Sequence, residues 1–215
     1  MKLCYFNGRG LAETSRLLFA AAEQDYTDFR YPLEILDWKT YSFNREEFDK
    51  AKSDGSLVNS LNKVPYLEVD GDVICQSKTI ERYLGRRFNM MGDTDLEAAK
   101  IDSICECLRD FKTDYQTVRK TEESDREVAM TVWFNETLPS KLNALEHLVN
   151  TNFSVGGRLS LADVSLFSFL TQFFDNTEAA NDSMNNTPNI KSVVETVRSL
   201  DSVQQWLNTR PVTSF

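Results

Sequence analysis

His147 is the only histidine, so a His–His metal site is excluded by counting. Cys4, Cys75, Cys105 and Cys107 contain no C-x-x-C pair, which removes a dithiol redox centre and a zinc knuckle. Catalysis is expected to run on tyrosine, serine, cysteine, carboxylates or a borrowed cofactor. Two places stand out by where they fall. Tyr5 lies at the carboxyl end of a short apolar and aromatic run, residues 2–7, where its hydroxyl can face a cleft. On pattern alone it reads first as a core tyrosine of a buried strand. Its neighbour Cys4 points to the other face of such a strand and is expected to pack inward. Gln76 and Ser77 open a helical run, residues 78–88, with Ser77 expected as its N-cap. A helix start presents unpaired N–H groups and the positive end of the dipole, a seat for a carboxylate. Plain capping explains Ser77 as well.

The elements that must hold these residues fall into two different halves. In the first, residues 2–7 read as a strand stopped by Asn7-Gly8-Arg9-Gly10, residues 11–22 as a helix and residues 26–31 as a second strand ended by Pro32. Residues 33–60 read as irregular, with short helices and a long loop. Residues 64–69 and 73–75 flank Asp70-Gly71, the strongest short hairpin signal, and the helix at 78–88 follows. The order is β-α-β, an irregular segment, then β-β-α. Beyond a break at 89–92 the chain reads as helix throughout. A long amphipathic run at 96–119 carries Ile101, Ile104, Leu108 and Phe111 on one stripe. Further runs follow at 123–150, 164–174, 189–200 and 202–208, the second of them opened by a capping-box-like Ser160-Leu161-Ala162-Asp163. The fold class expected is a small α/β domain at 1–87 and an all-helical domain at 92–215.

Composition narrows the function from the other side. The chain has 215 residues, with 24 Lys+Arg against 33 Asp+Glu, a net charge of −9. That surplus of acid argues against nucleic acid, because no excess of cations exists to displace counterions, and against docking on anionic lipid. The longest apolar run, residues 17–22, is too short to span a bilayer, and no apolar signal core follows Met1. A cytoplasmic location with reduced thiols is expected.

The wording of the sequence is also familiar. Tyr5-Phe6-Asn7-Gly8-Arg9-Gly10 with Ala12-Glu13, Val64-Pro65-Tyr66-Leu67-Glu68-Val69-Asp70-Gly71, Gln76-Ser77, and Ile80-x-x-Tyr83-Leu84 resemble the glutathione-binding domain of cytosolic glutathione transferases, most like the sigma class. That class includes glutathione-dependent prostaglandin D synthases and the S-crystallins. Gly157-x-x-Ser160-Leu161-Ala162-Asp163 and the Arg210-Pro211-x-x-x-Phe215 ending are similar too, so the resemblance covers nearly the whole chain. It implies a thioredoxin-like domain at 1–87, helices from 92 onward that contribute an electrophile pocket near Phe111, Tyr115 and the tail, glutathione as co-substrate, no metal, and a homodimer.

Residue by residue, the resemblance implies that Tyr5 donates its hydroxyl to the glutathione thiolate, and that Gln76 and Ser77 seat the γ-glutamyl carboxylate. A cis Val64-Pro65 bond would turn the Val64 backbone toward the cysteinyl group, and Lys63 and Trp38 would reach the glycyl end. Asp110 would cross a dimer interface to the γ-glutamyl amine of the glutathione held by the other subunit. Three departures accompany these matches. Residues 39–60 look like an insertion, which leaves Phe48 as an alternative to Trp38. Leu11 stands where an arginine is usual, and Arg109 stands where a metal-binding acid would be wanted. A transferase acting on small electrophiles is expected first. The alternatives are a non-catalytic S-crystallin-like or ligand-binding protein, and a glutathione-dependent prostaglandin isomerase or peroxidase on the same site.

Overall fold

A computed structural model describes residues 1–37 and 42–213. The chain divides into two compact units, Met1–Leu84 with Trp206–Phe215, and Gly85–Gln205.

The first unit is built on a four-stranded mixed sheet in the order β2-β1-β5-β6. Strand β1 (Lys2–Phe6) leads through a 3-10 turn at Gly10–Ala12 into α1 (Glu13–Ala21), and β2 (Thr27–Tyr31) returns parallel to β1. Two parallel neighbours need a crossover of this kind, whereas β5 (Tyr66–Val69) and β6 (Asp72–Cys75) need only a two-residue turn. Asp70 and Gly71 supply it, both at positive φ, as the Asp-Gly pair predicts. Leu3, Leu17, Leu18, Phe19, Leu67, Ile80 and Leu84 are buried, the last two on α3 (Ser77–Arg87).

The segment expected to be irregular is more ordered than its sequence suggests. It holds a two-stranded ribbon, β3 (Glu34–Asp37) and β4 (Ser42–Asn44), then α2 (Glu46–Ser53) and a 3-10 turn at Val58–Ser60. The strands are three and four residues long, and only Ile35 and Phe43, a register pair, are apolar and half buried. Such a ribbon shows no period-two signal to read. Helix α2 sends Phe48 into a core with Cys4, Tyr31, Leu57 and Tyr66.

The second unit is helical, with α4 (Asp95–Arg119), α5 (Glu123–Val132), α6 (Leu138–Glu146), α7 (Leu161–Ser168), α8 (Thr177–Asp182) and α9 (Pro188–Arg198). Helix α10 (Asp201–Thr209) follows. Ile101, Ile104 and Leu108 of the α4 stripe are buried, and Phe111 is half buried. The stripe expected over 123–150 is interrupted by a π-helical turn at Trp133–Thr137. Pro139 is the physical reason: a proline removes one N–H and crowds the carbonyl four residues earlier, Asn135, which lies inside that wider turn. A second π turn, Phe169–Phe173, ends α7. Tyr115, Trp133, Phe134 and Phe174 pack edge to face or tilted between these turns, with centroids of 4.8–5.9 Å from Tyr115. Among the described residues, no helix is long and apolar enough to cross a membrane.

Candidate functional site

Sheet register gathers several of the expected residues at one end of the first unit. Cys4 pairs with Tyr66 across β1 and β5, and Tyr66 pairs with Cys75 across β5 and β6. One residue further in each case stand Tyr5, Pro65 and Gln76, a row across the same end of the sheet. Lys63 and Val64 lead into that row, joined to it by the Val64-Pro65 bond, which is cis. Pro65 is buried, Val64 half buried and Lys63 exposed.

Tyr5 is nine-tenths buried, on the opposite side of β1 from Cys4. Its ring lies with the loop that opens α1, whereas Cys4 lies in the core against Tyr31, Phe48 and Tyr66. Burial pushes the Cys4 thiol up to about 11, so it is a protonated packing residue rather than a nucleophile. The Tyr5 hydroxyl oxygen accepts the backbone N–H of Leu11 at 3.2 Å. With that acceptor position engaged, its proton is free to be donated elsewhere. Burial raises the hydroxyl above the ordinary tyrosine value, while the Leu11 N–H and the Arg16 guanidinium pull the other way. A raised phenol stays protonated at neutral pH, which suits a hydrogen-bond donor and not a base.

Gly10 makes this approach possible. It sits at a φ of +38°, and a Cβ there would lie 2.5 Å from the Tyr5 hydroxyl oxygen. Gly10→Ala is therefore expected to displace that oxygen and, with Tyr5 as the donor the resemblance implies, to lower turnover by about ten-fold or more, in line with loss of one well-placed donor. Steady-state kinetics beside retention on glutathione resin checks this: turnover falls while retention persists.

At the other end of the row, α3 opens differently from expectation. The Ile80 N–H bonds to the carbonyl of Gln76, which makes Gln76 the cap and Ser77 the first helical residue. Gln76 adopts a φ of +73° although it carries a side chain. A left-handed non-glycine residue is strained unless its surroundings need it there, and such strain gathers at ligand clamps. Gln76 is exposed and Ser77 half exposed, at the start of α3, where the first-turn N–H groups have no partner within the helix.

The remaining expected residues fare unevenly. Trp38 lies outside the described residues, as does Phe215. Phe48 does not stand in for Trp38 at a ligand: it is buried in the core, with its centroid 5.0 Å from Phe6 and 5.7 Å from Tyr31. Asp110 is exposed on α4, and the neighbouring Arg109 pairs with Glu106 at 2.7 Å. Tyr115 is 2% exposed and belongs to the core of its own unit.

One cluster escaped the sequence reading. Glu13 and Arg16 of α1 are both buried and 3.5 Å apart. Arg16 also pairs through Nε with Asp28 at 3.1 Å and donates Nη1 to the Gly8 carbonyl. Glu13 accepts the Trp206 indole N–H at 3.0 Å and Arg210 at 2.6 Å, so the C-terminal segment is clasped to the start of α1. The signal was present as two charges three apart in a helix otherwise rich in Leu, Phe and Ala.

Two family models account for most of the chain. Glutathione S-transferase, N-terminal domain, matches residues 1–86, and Glutathione S-transferase, C-terminal domain, matches residues 109–210. The chain belongs to the glutathione transferase family. Among its relatives, Glutathione S-transferase 1 of Ascaris suum is 30% identical over 221 residues, covering 100% of this chain and 98% of that protein. Human hematopoietic prostaglandin D synthase is 30% identical over 218 residues, with the same 100% and 98% coverage. A solved glutathione S-transferase of the hookworm Necator americanus, described as monomeric, superposes with a TM-score of 0.82 at 28% identity, covering 100% and 98% of the two chains. As in the family, the fold joins a thioredoxin-like domain of mixed sheet to a helical C-terminal domain.

Proposed function

We propose that this glutathione transferase activates the thiol of glutathione for conjugation to small electrophiles, with Tyr5 as the donor to the thiolate. The observation that carries the reading is the Tyr5 hydroxyl: buried, protonated, and with its oxygen already taken by the Leu11 N–H. A free thiol has a pKa of about 8.5, so only a few per cent is thiolate at neutral pH. Lowering it by about two units needs roughly 2.7 kcal/mol of preferential stabilisation of the anion, within the reach of a fixed donor in a partly dry site.

Gln76 and Ser77 hold the γ-glutamyl carboxylate on the first turn of α3. The Val64 backbone, just ahead of the first paired residue of β5, takes the cysteinyl group like an added strand. Lys63 and Trp38 serve the glycyl end. The enzyme acts as a cytoplasmic homodimer without metal, each subunit placing Asp110 on the γ-glutamyl amine of glutathione in the other. The exposure of Asp110 and the cationic character of that amine support this assignment.

A conjugation assay of the purified protein with chlorodinitrobenzene tests the reading. Turnover with retention on glutathione resin is expected. Retention without turnover favours the S-crystallin-like, non-catalytic alternative. The relation to human hematopoietic prostaglandin D synthase favours one further reading, isomerisation of prostaglandin H2 on the same site, which an assay with that substrate addresses. The carboxylate seat has its own signature. Ser77→Ala is expected to raise the Michaelis constant for glutathione several-fold with kcat nearly unchanged, the mark of lost uniform binding. An unaltered constant would leave Ser77 with a purely structural place at the start of α3.

A further inference from the structure

Arg16 is fully buried, an unusual position for a guanidinium, and each of its nitrogens is accounted for differently. Nε pairs with Asp28, and Nη1 reaches both the Gly8 carbonyl and Glu13. Nη2 is buried with no hydrogen-bond partner. The guanidinium carbon lies 6.0 Å from the centroid of the Tyr5 ring, within reach of a cation–π interaction. Around it stand Glu13 from α1, the buried Tyr26 hydroxyl just ahead of β2, Asp28 and Arg30 from β2, and Arg210 from the C-terminal segment. With Arg16, the charged groups number five, three positive and two negative, so the network carries a net charge of +1; Arg16 and Glu13 are buried, and Asp28, Arg30 and Arg210 are half buried. Leu11 offers Tyr5 only its backbone N–H.

We infer that Arg16 is the positioning residue of the thiol-activating site, fixing the Gly8–Leu11 loop on Tyr5 and supplying positive potential beside its ring. The inference rests on Tyr5 as the donor to the thiolate. Two effects act through Tyr5. The bond to the Gly8 carbonyl holds the loop whose Leu11 N–H occupies the Tyr5 oxygen, so the phenolic proton is left to point outward. The buried positive charge favours electron density on the phenol oxygen, which makes that proton a stronger donor to an anion. Asp28 works against the second effect, because it neutralises part of the Arg16 charge. Its removal by Asp28→Asn leaves Arg16 and Arg30 less compensated and strengthens the potential at Tyr5.

Opposite signs make the test. Glutathione is bound to the full-length protein, and the ultraviolet absorbance of its thiolate is titrated against pH, alongside the pH profile of kcat/KM. Arg16→Met is expected to raise the pKa of the bound thiol by about one unit, a ten-fold loss of thiolate below it. Conjugation then falls about ten-fold at low pH and recovers at high pH. Arg16→Lys restores part of the shift, and Asp28→Asn lowers the pKa. If Arg16→Met gives no cooperative melt, Arg16→Lys and Asp28→Asn carry the comparison. A merely structural role moves Arg16→Met and Asp28→Asn in the same direction, or moves neither pKa. Either result, in a protein whose Tyr5→Phe variant does raise the thiol pKa, overturns the inference and leaves the Tyr5 donor standing. An unshifted pKa in Tyr5→Phe itself removes the donor and the inference with it.

Discussion

Tyr5→Phe lowers turnover of glutathione with a soft electrophile by about ten-fold to a thousand-fold, as loss of one anion-stabilising donor does, while glutathione still binds. Only the hydroxyl is removed. The ring keeps its place on β1, its edge contact with Phe6 at 5.6 Å and the Arg16 guanidinium beside it. The Leu11 N–H loses its acceptor, but Leu11 is 52% exposed and water can replace it. The folded state should therefore change little, and the loss should appear in kcat more than in the Michaelis constant. Kinetics at several pH values separates the cause. A loss that shrinks as pH rises belongs to thiol ionisation, whereas a uniform loss does not.

The second large effect is on stability. Asp163 is fully buried at the start of α7, and its carboxylate accepts the Ser154 N–H at 2.6 Å, the Ser160 N–H at 2.7 Å and the Ser160 hydroxyl at 2.9 Å. It thereby closes the capping box of α7 and ties down the approach to that helix. Asp163→Ala leaves two buried N–H groups without partners, each costing about 1–3 kcal/mol, and removes half of a cap worth about 1 kcal/mol. A loss of roughly 3–5 kcal/mol follows, enough to lower the melting temperature by on the order of 10 °C in a chain of this size. Thermal unfolding followed by circular dichroism measures it. A shift within a degree or two would show that water replaces the carboxylate.

The contrast between these two residues explains what could be read in the sequence. Asp163 was legible because a capping box is local: a serine and an acid three apart before an apolar run specify both the helix start and the bonds. The Asp70-Gly71 hairpin was legible for the same reason, and the long α4 stripe because its period repeats over many turns. Tyr5 was legible only through the wording around it, since a tyrosine in a strand carries no local sign of what its hydroxyl meets. The β3–β4 ribbon was hidden because two very short, mostly exposed strands show no alternation. The π turn before α6 was hidden because Pro139 marks a break but not its shape. The Arg16 network was least visible of all. Its members besides Arg16 lie at positions 8, 13, 28, 30 and 210, and no spacing rule joins residues that only the fold brings together.

A site that activates glutathione through Tyr5 must lower the pKa of the bound thiol. Ultraviolet titration of glutathione bound to the unaltered protein tests it most directly. Ionisation about two units below the free thiol, near pH 6.5, is expected. Glutathione that binds yet ionises near pH 8.5, as a free thiol does, would contradict it.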